Sequence, residues 1–474
     1  MNAEQVIGKL RKDYNVAGMS VAVIRDGEVA WAEGFGLRDV EKDLPMTADT
    51  ILPIGSITKT FTSLALGMLV DEGKLDWDRP VIEYIPSLKL STPILTENVT
   101  TRDLMCHRTG IPKYDLQAIY CVPENEEKML SAFEYLETNA AFRTKLQYSN
   151  QMVSLAGYLV EVLTGQPYKE FVKERIFRPL GMTSTDFEVE SLANYENTSK
   201  GYVFGNGMFI EPPYMHLGVF APSGAIVSSV SDMSKYALFQ LGDGTWNGER
   251  LISEAVLKET HTPQVIGTPY FWEFEEFQST EYGLGWFTDV YRGVKMINHG
   301  GNTNGFSAQM TLLPDRKFAV VALSNATSSF AVNALGHIFA DDALGVQEIP
   351  DWSGRFQEIF NNLMAGMMAG MKAKEEAKDP NAVPSLALEE YAGEYRHPGF
   401  GNMAFAMTEQ GIAGTWNGLP ALLIPYQNDT FDLMLPVLGQ PVPAQFTIEE
   451  GKVKGMAVSM EPSPGISPAW FERI

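Results

Sequence analysis

The 474-residue chain holds only two cysteines, Cys106 and Cys121. Two thiols in a chain this long make no disulfide framework, so packing must hold the fold, and both read as reduced. Long hydrophobic runs are also missing. No window approaches the roughly 18 consecutive apolar residues of a membrane span. The opening MNAEQVIGKLRKDY has no apolar h-region. The expected location is cytoplasmic, although a signal already removed would leave the same sequence. Positive charge is scarce: 36 Lys and Arg face 59 Asp and Glu, a net charge of −23. Such a surface repels phosphate backbones, which argues against a nucleic-acid partner. The histidines, at 107, 216, 261, 299, 337 and 397, show no metal-binding spacing, and neither a dinucleotide glycine fingerprint nor a P-loop occurs. No metal and no cofactor is implied.

What is there suggests two or three domains, at about 150 residues each. MSVAVIRDGEVAWAEGFG, from Met19 to Gly36, reads as a hairpin turning at Asp26-Gly27, a dipeptide suited to a type I′ turn. Behind ILPIGS, the apolar positions Ile57, Phe61, Leu64 and Met68 predict a helix that Gly73 stops. Helical stretches dominate from about residue 75 to 190, the clearest being NQMVSLAGYLVEVLTG. Strands return as VKMINHGG, GFSAQMTLLPD and KFAVVALSNA, with turns at Asn302–Gly305 and Pro314–Arg316. Strands at both ends with helices between predict an α+β domain over 1–345: an antiparallel sheet flanked by helices, with a mostly helical insertion. Residues 346–384 read as a helical connector, whose methionines are expected to cover the neighbouring domain. Residues 385–474, with short strands and frequent Gly and Pro, read as an all-β barrel or sandwich.

The stretch IGSITKT places Lys59 three residues after Ser56. Residues at i and i+3 share a helix face. A serine hydroxyl needs a base to act as a nucleophile, and a lysine is one only when its pKa falls. The helix start adds N–H groups that can receive developing negative charge. Two further fragments matter. Tyr148-Ser149-Asn150 sits at the entry to a helix, and His299-Gly300-Gly301 sits at a strand end. Taken singly, Tyr148 would more often be a packed aromatic, Asn150 a helix cap and His299 a backbone-bonded strand residue. Paired glycines in a strand often mark close approach of a ligand or another backbone.

Together, in this order, the three fragments resemble the penicillin-recognising serine hydrolases, in particular the class C β-lactamase and D-alanyl-D-alanine carboxypeptidase branch. VTTRDLMCHRTGIP, RIFRPLGMTSTDF, APSGAIVSSVSDMSKYA and YGLGW are similar in style to that superfamily. The resemblance implies a β-lactamase/transpeptidase-like fold. It implies Ser56 as nucleophile, with Lys59 and Tyr148 sharing the base role and Tyr148 returning the proton to the leaving group. Asn150 would hold Lys59 and the substrate amide. The N–H groups of Ser56 and Asn302, just beyond Gly300 and Gly301, would form the oxyanion hole. A tyrosine at pKa ~10 needs neighbouring positive charge to serve as base, and Lys59 with His299 is expected to supply it.

β-Lactamases of this kind carry lysine where His299 stands, and a histidine is mostly neutral at pH 7. The expected function is therefore hydrolysis of amide bonds in short peptides, D-residues included, through an acyl-enzyme on Ser56. The alternatives are a carboxylesterase or β-lactamase of the same fold, and a non-hydrolytic penicilloyl sensor or self-assembling scaffold. The expected partner is a small-molecule or short-peptide substrate, without membrane, and self-association stays open. The C-terminal module, with LEEYAGEYRHPGFG, resembles lipocalin-like barrels attached to some relatives; its HPGFG turn either reaches the cleft or is a surface hairpin. Cys106-His107 reads as no catalytic pair. The aromatic run PYFWEFEEFQSTEYGLGW is expected to pack under the barrel rather than to form a cleft lip.

Overall fold

The computed structural model describes residues 1–267, 273–379, 381–409, 411–436 and 441–474. Strands β1 (Gly18–Arg25) and β2 (Glu28–Asp39) form the expected hairpin. Asp26 and Gly27 take φ of 53° and 82°, the positive values that a type I′ turn demands. The late strands are β3 (Phe287–Tyr291), β4 (Val294–Thr303), β5 (Phe306–Leu313) and β6 (Phe318–Ser324). They pair antiparallel in sequence order, and β6 then pairs with β1, Val21 opposite Ala322. The two ends of the domain thus close one ten-stranded sheet.

Period-two alternation sends side chains to two cores. Val21, Val23 and Val320 face helices α1 (Ala3–Asp13) and, later in the chain, the residues around Leu335, Phe339 and Trp352. Ala22, Ile24, Val321 and Leu323 face the other way, toward helix α2 (Thr58–Asp71) and the helical region. That region includes α3 (Asp115–Tyr120) and α4 (Asn150–Thr164). Helix α5 (Val230–Leu241) packs on the same face, and its Tyr236 ring stacks on Phe61 at 3.7 Å. Helix α2 is buried almost all round, so its hydrophobicity marks it as the domain's central helix.

Helices α6 (Ala331–Leu344) and α7 (Trp352–Glu376) follow the sheet. Only Trp352, Ser353 and Phe356 of α7 are buried. Its second half leaves Phe360, Leu363, Met367, Met368 and Met371 between 41% and 66% exposed, so the methionines do not cover the neighbouring domain as expected. The helix is fixed at its ends instead, and Lys374 meets the barrel's Asp432 at 2.5 Å. The aromatic run also lies elsewhere than expected. Phe274 packs on Trp352 and Phe356, and Phe277 on Tyr291 and His337, on the α7 side of the sheet rather than under the barrel. Pro269, Phe271 and Trp272 lie outside the described residues.

The C-terminal strands, from Gly393–His397 to Ala469–Arg473, close an eight-stranded antiparallel barrel, consistent with a lipocalin-like module. Tyr391, Tyr395, Trp416, Phe431, Phe446 and Phe471 are fully or almost fully buried by it. Eight strands leave an interior that side chains can fill, and here they do. No helix among the described residues is long and apolar enough to cross a membrane.

Candidate active site

A tight turn, Gly55–Ile57, delivers Ser56 to the start of α2. Gly55 has φ of 53°, and a methyl group on it would come within 2.7 Å of the Asn302 nitrogen, so only glycine fits. Thr58 fixes the turn: its hydroxyl donates to the Gly55 carbonyl at 2.7 Å and accepts from the Ile226 N–H at 3.1 Å. One turn into the helix, Lys59 is completely buried. Its Nζ lies 3.0 Å from Ser56 Oγ, 2.7 Å from Asn150 Oδ1 and 2.6 Å from the Ser223 carbonyl oxygen. Thr62 holds the segment that carries Ser223, donating to the Pro222 carbonyl at 2.7 Å.

Those three contacts have different chemistry. The carbonyl of Ser223 and the amide oxygen of Asn150 only accept; the Ser56 hydroxyl can also donate. A neutral amine therefore satisfies all three, donating twice and accepting from Ser56. Burial acts in the same direction, holding Lys59 well below the ordinary lysine range, with Lys113 adding to the effect and Asp115 opposing it.

Tyr148 completes the constellation. Its phenol is near enough to Ser56 for that hydroxyl to oppose part of the effect of burial, and Lys59 Nζ lies 4.9 Å from its ring centroid. Burial pushes the Tyr148 phenol up, not down, so it stays protonated. His299 does not supply the positive charge expected of it. It is 1% exposed, and desolvation with the nearby Lys59 pushes it down to about 3. Both ring nitrogens are engaged internally, Nδ1 with the Gly300 carbonyl at 2.6 Å and Nε2 with the Tyr282 hydroxyl at 3.0 Å. It is a neutral imidazole one layer behind the cleft wall.

The cleft above Ser56 encloses about 750 Å³ including its open mouth. Of the residues singled out from the sequence, Ser56, Asn150 and Asn302 line it directly; Lys59, His299 and Gly301 are buried, and Tyr148 and Gly300 are half-buried beside it. Among the described residues, the Asp, Glu, Lys, Arg or His side chains lining it are Asp115 and Glu188. Asp115 meets Lys113 at 3.2 Å, and Glu188 meets Lys169 at 2.6 Å. At the rim, ligand atoms of Glu188, Glu190 and His216 lie within 4.8 Å of one another. Glu190 and His216 are already bonded at 2.9 Å.

Sequence reasoning missed two aromatic walls. His107 is buried with φ of 59°; its ring lies 4.3 Å from Tyr148 and 5.0 Å from Tyr282, and its Nδ1 accepts the Ser149 N–H at 3.1 Å. Burial holds it well below the ordinary histidine range. Cys106, its chain neighbour, is a buried thiol pushed up to about 12 and makes no pair with it. Tyr282 sits under His299. Both residues fall in stretches whose style resembled the family, VTTRDLMCHRTGIP and YGLGW, and that was the available signal.

Comparison with known proteins matches the family described as Beta-lactamase over residues 3–344, and a domain of unknown function, DUF3471, over residues 377–473. The chain is 28% identical over 499 residues to the unguisins hydrolase ungD′ of Aspergillus campestris, covering 99% of this chain and 91% of that one. It is 26% identical to the unguisins hydrolase ungD of Aspergillus violaceofuscus, over 99% of this chain and 90% of that one. Among solved structures, the octameric penicillin-binding protein homologue from Pyrococcus abyssi matches with a TM-score of 0.64 and 23% identity, over 99% of both chains. The crystal structure of SurE matches with a TM-score of 0.59 and 20% identity, over 99% and 98%.

Proposed function

The chain belongs to the Beta-lactamase family, and from that premise we propose that it hydrolyses amide bonds of short peptides through an acyl-enzyme on Ser56. The observation that carries the reading is the buried Lys59 amine 3.0 Å from the Ser56 hydroxyl. Lys59 takes the Ser56 proton as the oxygen attacks the substrate carbonyl. Tyr148, kept protonated by burial, gives its proton to the departing amine and regains one from Lys59. The N–H groups of Ser56 and Asn302 receive the oxyanion: a methyl on Gly301 would come within 2.9 Å of the first, and one on Gly55 within 2.7 Å of the second, which supports the two segments lying side by side. Water then attacks the ester, with Lys59 again accepting the proton.

The charge of the cleft weakens the β-lactam reading. The imidazole of His299 is neutral, and among the described residues no Lys, Arg or His lines the cleft to meet a substrate carboxylate. Relatives named as hydrolases span the whole chain, barrel included. Ester hydrolysis is the second reading, since the same acyl-enzyme forms from an ester with a better leaving group. The octameric state of the Pyrococcus abyssi neighbour and the exposed apolar half of α7 support assembly of this chain into a homo-oligomer.

The test is labelling with a fluorophosphonate, repeated on Ser56→Ala, followed by a panel of D- and L-amino-acid amides, nitrophenyl esters and a chromogenic cephalosporin. Labelling that survives in Ser56→Ala removes the nucleophile from the proposal. Turnover of esters alone removes the amide reading.

A further inference from the structure

The short helix α3 forms one wall of the cleft, through Asp115, Ala118 and Ile119. Six residues are too few to hold a helix by themselves, and the barrel grips both of its ends. At the C-terminal end, Asn417 of a barrel turn donates from Nδ2 to the Tyr120 carbonyl at 2.9 Å. At the N-terminal end, the Tyr114 N–H donates to Oε2 of Glu461, on the barrel, at 2.9 Å. Tyr114 adopts φ 44° and ψ 49°, a left-handed conformation that a bulky residue takes only when its surroundings impose it. Its ring is 1% exposed and stacks on Phe400 of the HPGFG turn at 6.5 Å. That turn therefore sits behind the wall and not in the cleft.

Glu461 is 7% exposed. Its other oxygen accepts from the N–H and hydroxyl of Ser463, and no lysine or arginine among the described residues pairs with it. A buried carboxylate satisfied only by N–H and O–H donors is costly to keep unless its geometry is used. From Tyr114 the hydrogen bonds continue inward. The Tyr114 carbonyl accepts from Nε2 of Gln151 at 2.9 Å, and Gln151 Oε1 accepts from the Ser149 hydroxyl at 3.1 Å. The Ser149 N–H donates to His107 Nδ1 at 3.1 Å. Gln151 and Ser149 are fully buried, and they flank Asn150 and follow Tyr148 in the chain.

We propose that Glu461 is a positioning residue for the hydrolase site: through Tyr114, Gln151 and Ser149 it sets Tyr148 and Asn150, making the barrel part of the catalytic unit. Asn417 fixes the far end of the same wall and so tunes substrate binding. The kinetic part of this inference rests on the hydrolase reading above; the structural part does not.

The experiment uses the full chain with Glu461→Ala, Glu461→Gln, Gln151→Ala and the double variant. Fluorophosphonate labelling reports Ser56 reactivity, and amide exchange by mass spectrometry reports the local structure whether or not the protein is active. The relay predicts that Glu461→Ala slows labelling and kcat tenfold or more while KM moves less. Asn417→Ala is expected to raise KM more than it lowers kcat. Glu461→Gln keeps the shape of the side chain, so it serves if the alanine variant fails to fold; it should raise exchange in both 111–121 and 147–152. In Gln151→Ala the relay is already cut, so adding Glu461→Gln should change labelling by less than twofold. Multiplicative losses in the double variant, or exchange changes confined to the barrel, overturn the proposal. A wild-type protein that never labels removes the hydrolase reading instead, and the exchange result then decides the relay alone.

Discussion

A methyl group on Gly301 would fall 1.9 Å from the carbonyl oxygen of Ile54, two residues before the nucleophile. Strand β4 and the Ser56 turn are in backbone contact, and this contact brings the third motif to the first. Gly301→Ala cannot be absorbed by a rotamer change, because the obstacle is main chain. The variant is expected to lose at least about 100-fold in turnover and about 1–3 kcal/mol in stability, the usual cost of overpacking. Initial rates and chemical denaturation measure both.

The pH dependence follows from the directions of the shifts at Lys59 and Tyr148. Lys59 must be neutral to accept the Ser56 proton, so the rate rises with pH through its lowered pKa and levels off below the ordinary lysine range. Tyr148 must be protonated to serve the leaving group, and burial has raised it, so no falling limb is expected below its ordinary value near 10. A kcat/KM profile with a descending limb centred between pH 6 and 8 would contradict this assignment. Lys59→Met should lower kcat/KM by roughly 10²–10⁴, the span of a lost general base, with no loss of fold by circular dichroism.

Acid stability is set by buried neutral histidines. His261 and His299 are pushed down to about 3 and His337 to about 4, in each case first by burial. Below the ordinary 6.5 the unfolded chain takes up protons that the folded chain refuses, so stability rises with pH and is lost as pH falls from 6.5 toward these values. His337 offers the clean test. Among the described residues neither of its ring nitrogens has a hydrogen-bond partner, and it sits against Trp352, Phe356 and Phe277. His337→Phe should raise the melting temperature, and by more at pH 5 than at pH 8. An equal gain at both pH values would mean that the proton is not involved.

The exposed stripe on α7 is the expected contact in the homo-oligomer proposed above. Phe360, Leu363, Met367 and Met371 recur at three and four residues and share one helix face. Soluble monomers seldom leave a continuous apolar stripe uncovered. Met367→Glu with Met371→Glu should lower the oligomeric state seen by light scattering while leaving the turnover of each subunit within about twofold. An unchanged mass would place the contact elsewhere.

Much of this site was legible because its chemistry is local in sequence. Ser56 and Lys59 meet within one helical turn, so spacing alone put them together. The glycines at 300 and 301 announced a close approach, and the approach is there, against Ile54. The charge state of His299 was not legible, because it depends on burial and on the distant Lys59, which no neighbour in the chain reveals. The exposure of the α7 methionines was hidden for the same reason: an apolar stripe looks alike whether or not something covers it.

The sequence by itself determined the periodicities: two-residue alternation for a sheet built from both ends of the first domain, a buried helix carrying a serine and a lysine, and a barrel-like tail. These follow from local sterics and from which face each residue presents. Only the tertiary structure decided which groups are dry and which distant segments touch. Burial favours a neutral Lys59 amine, a protonated Tyr148 phenol and a neutral His299 imidazole, and the fold alone sets a barrel carboxylate against the wall of the cleft. Desolvation and long-range contact depend on every neighbour in space, and a linear chain does not state who those neighbours are.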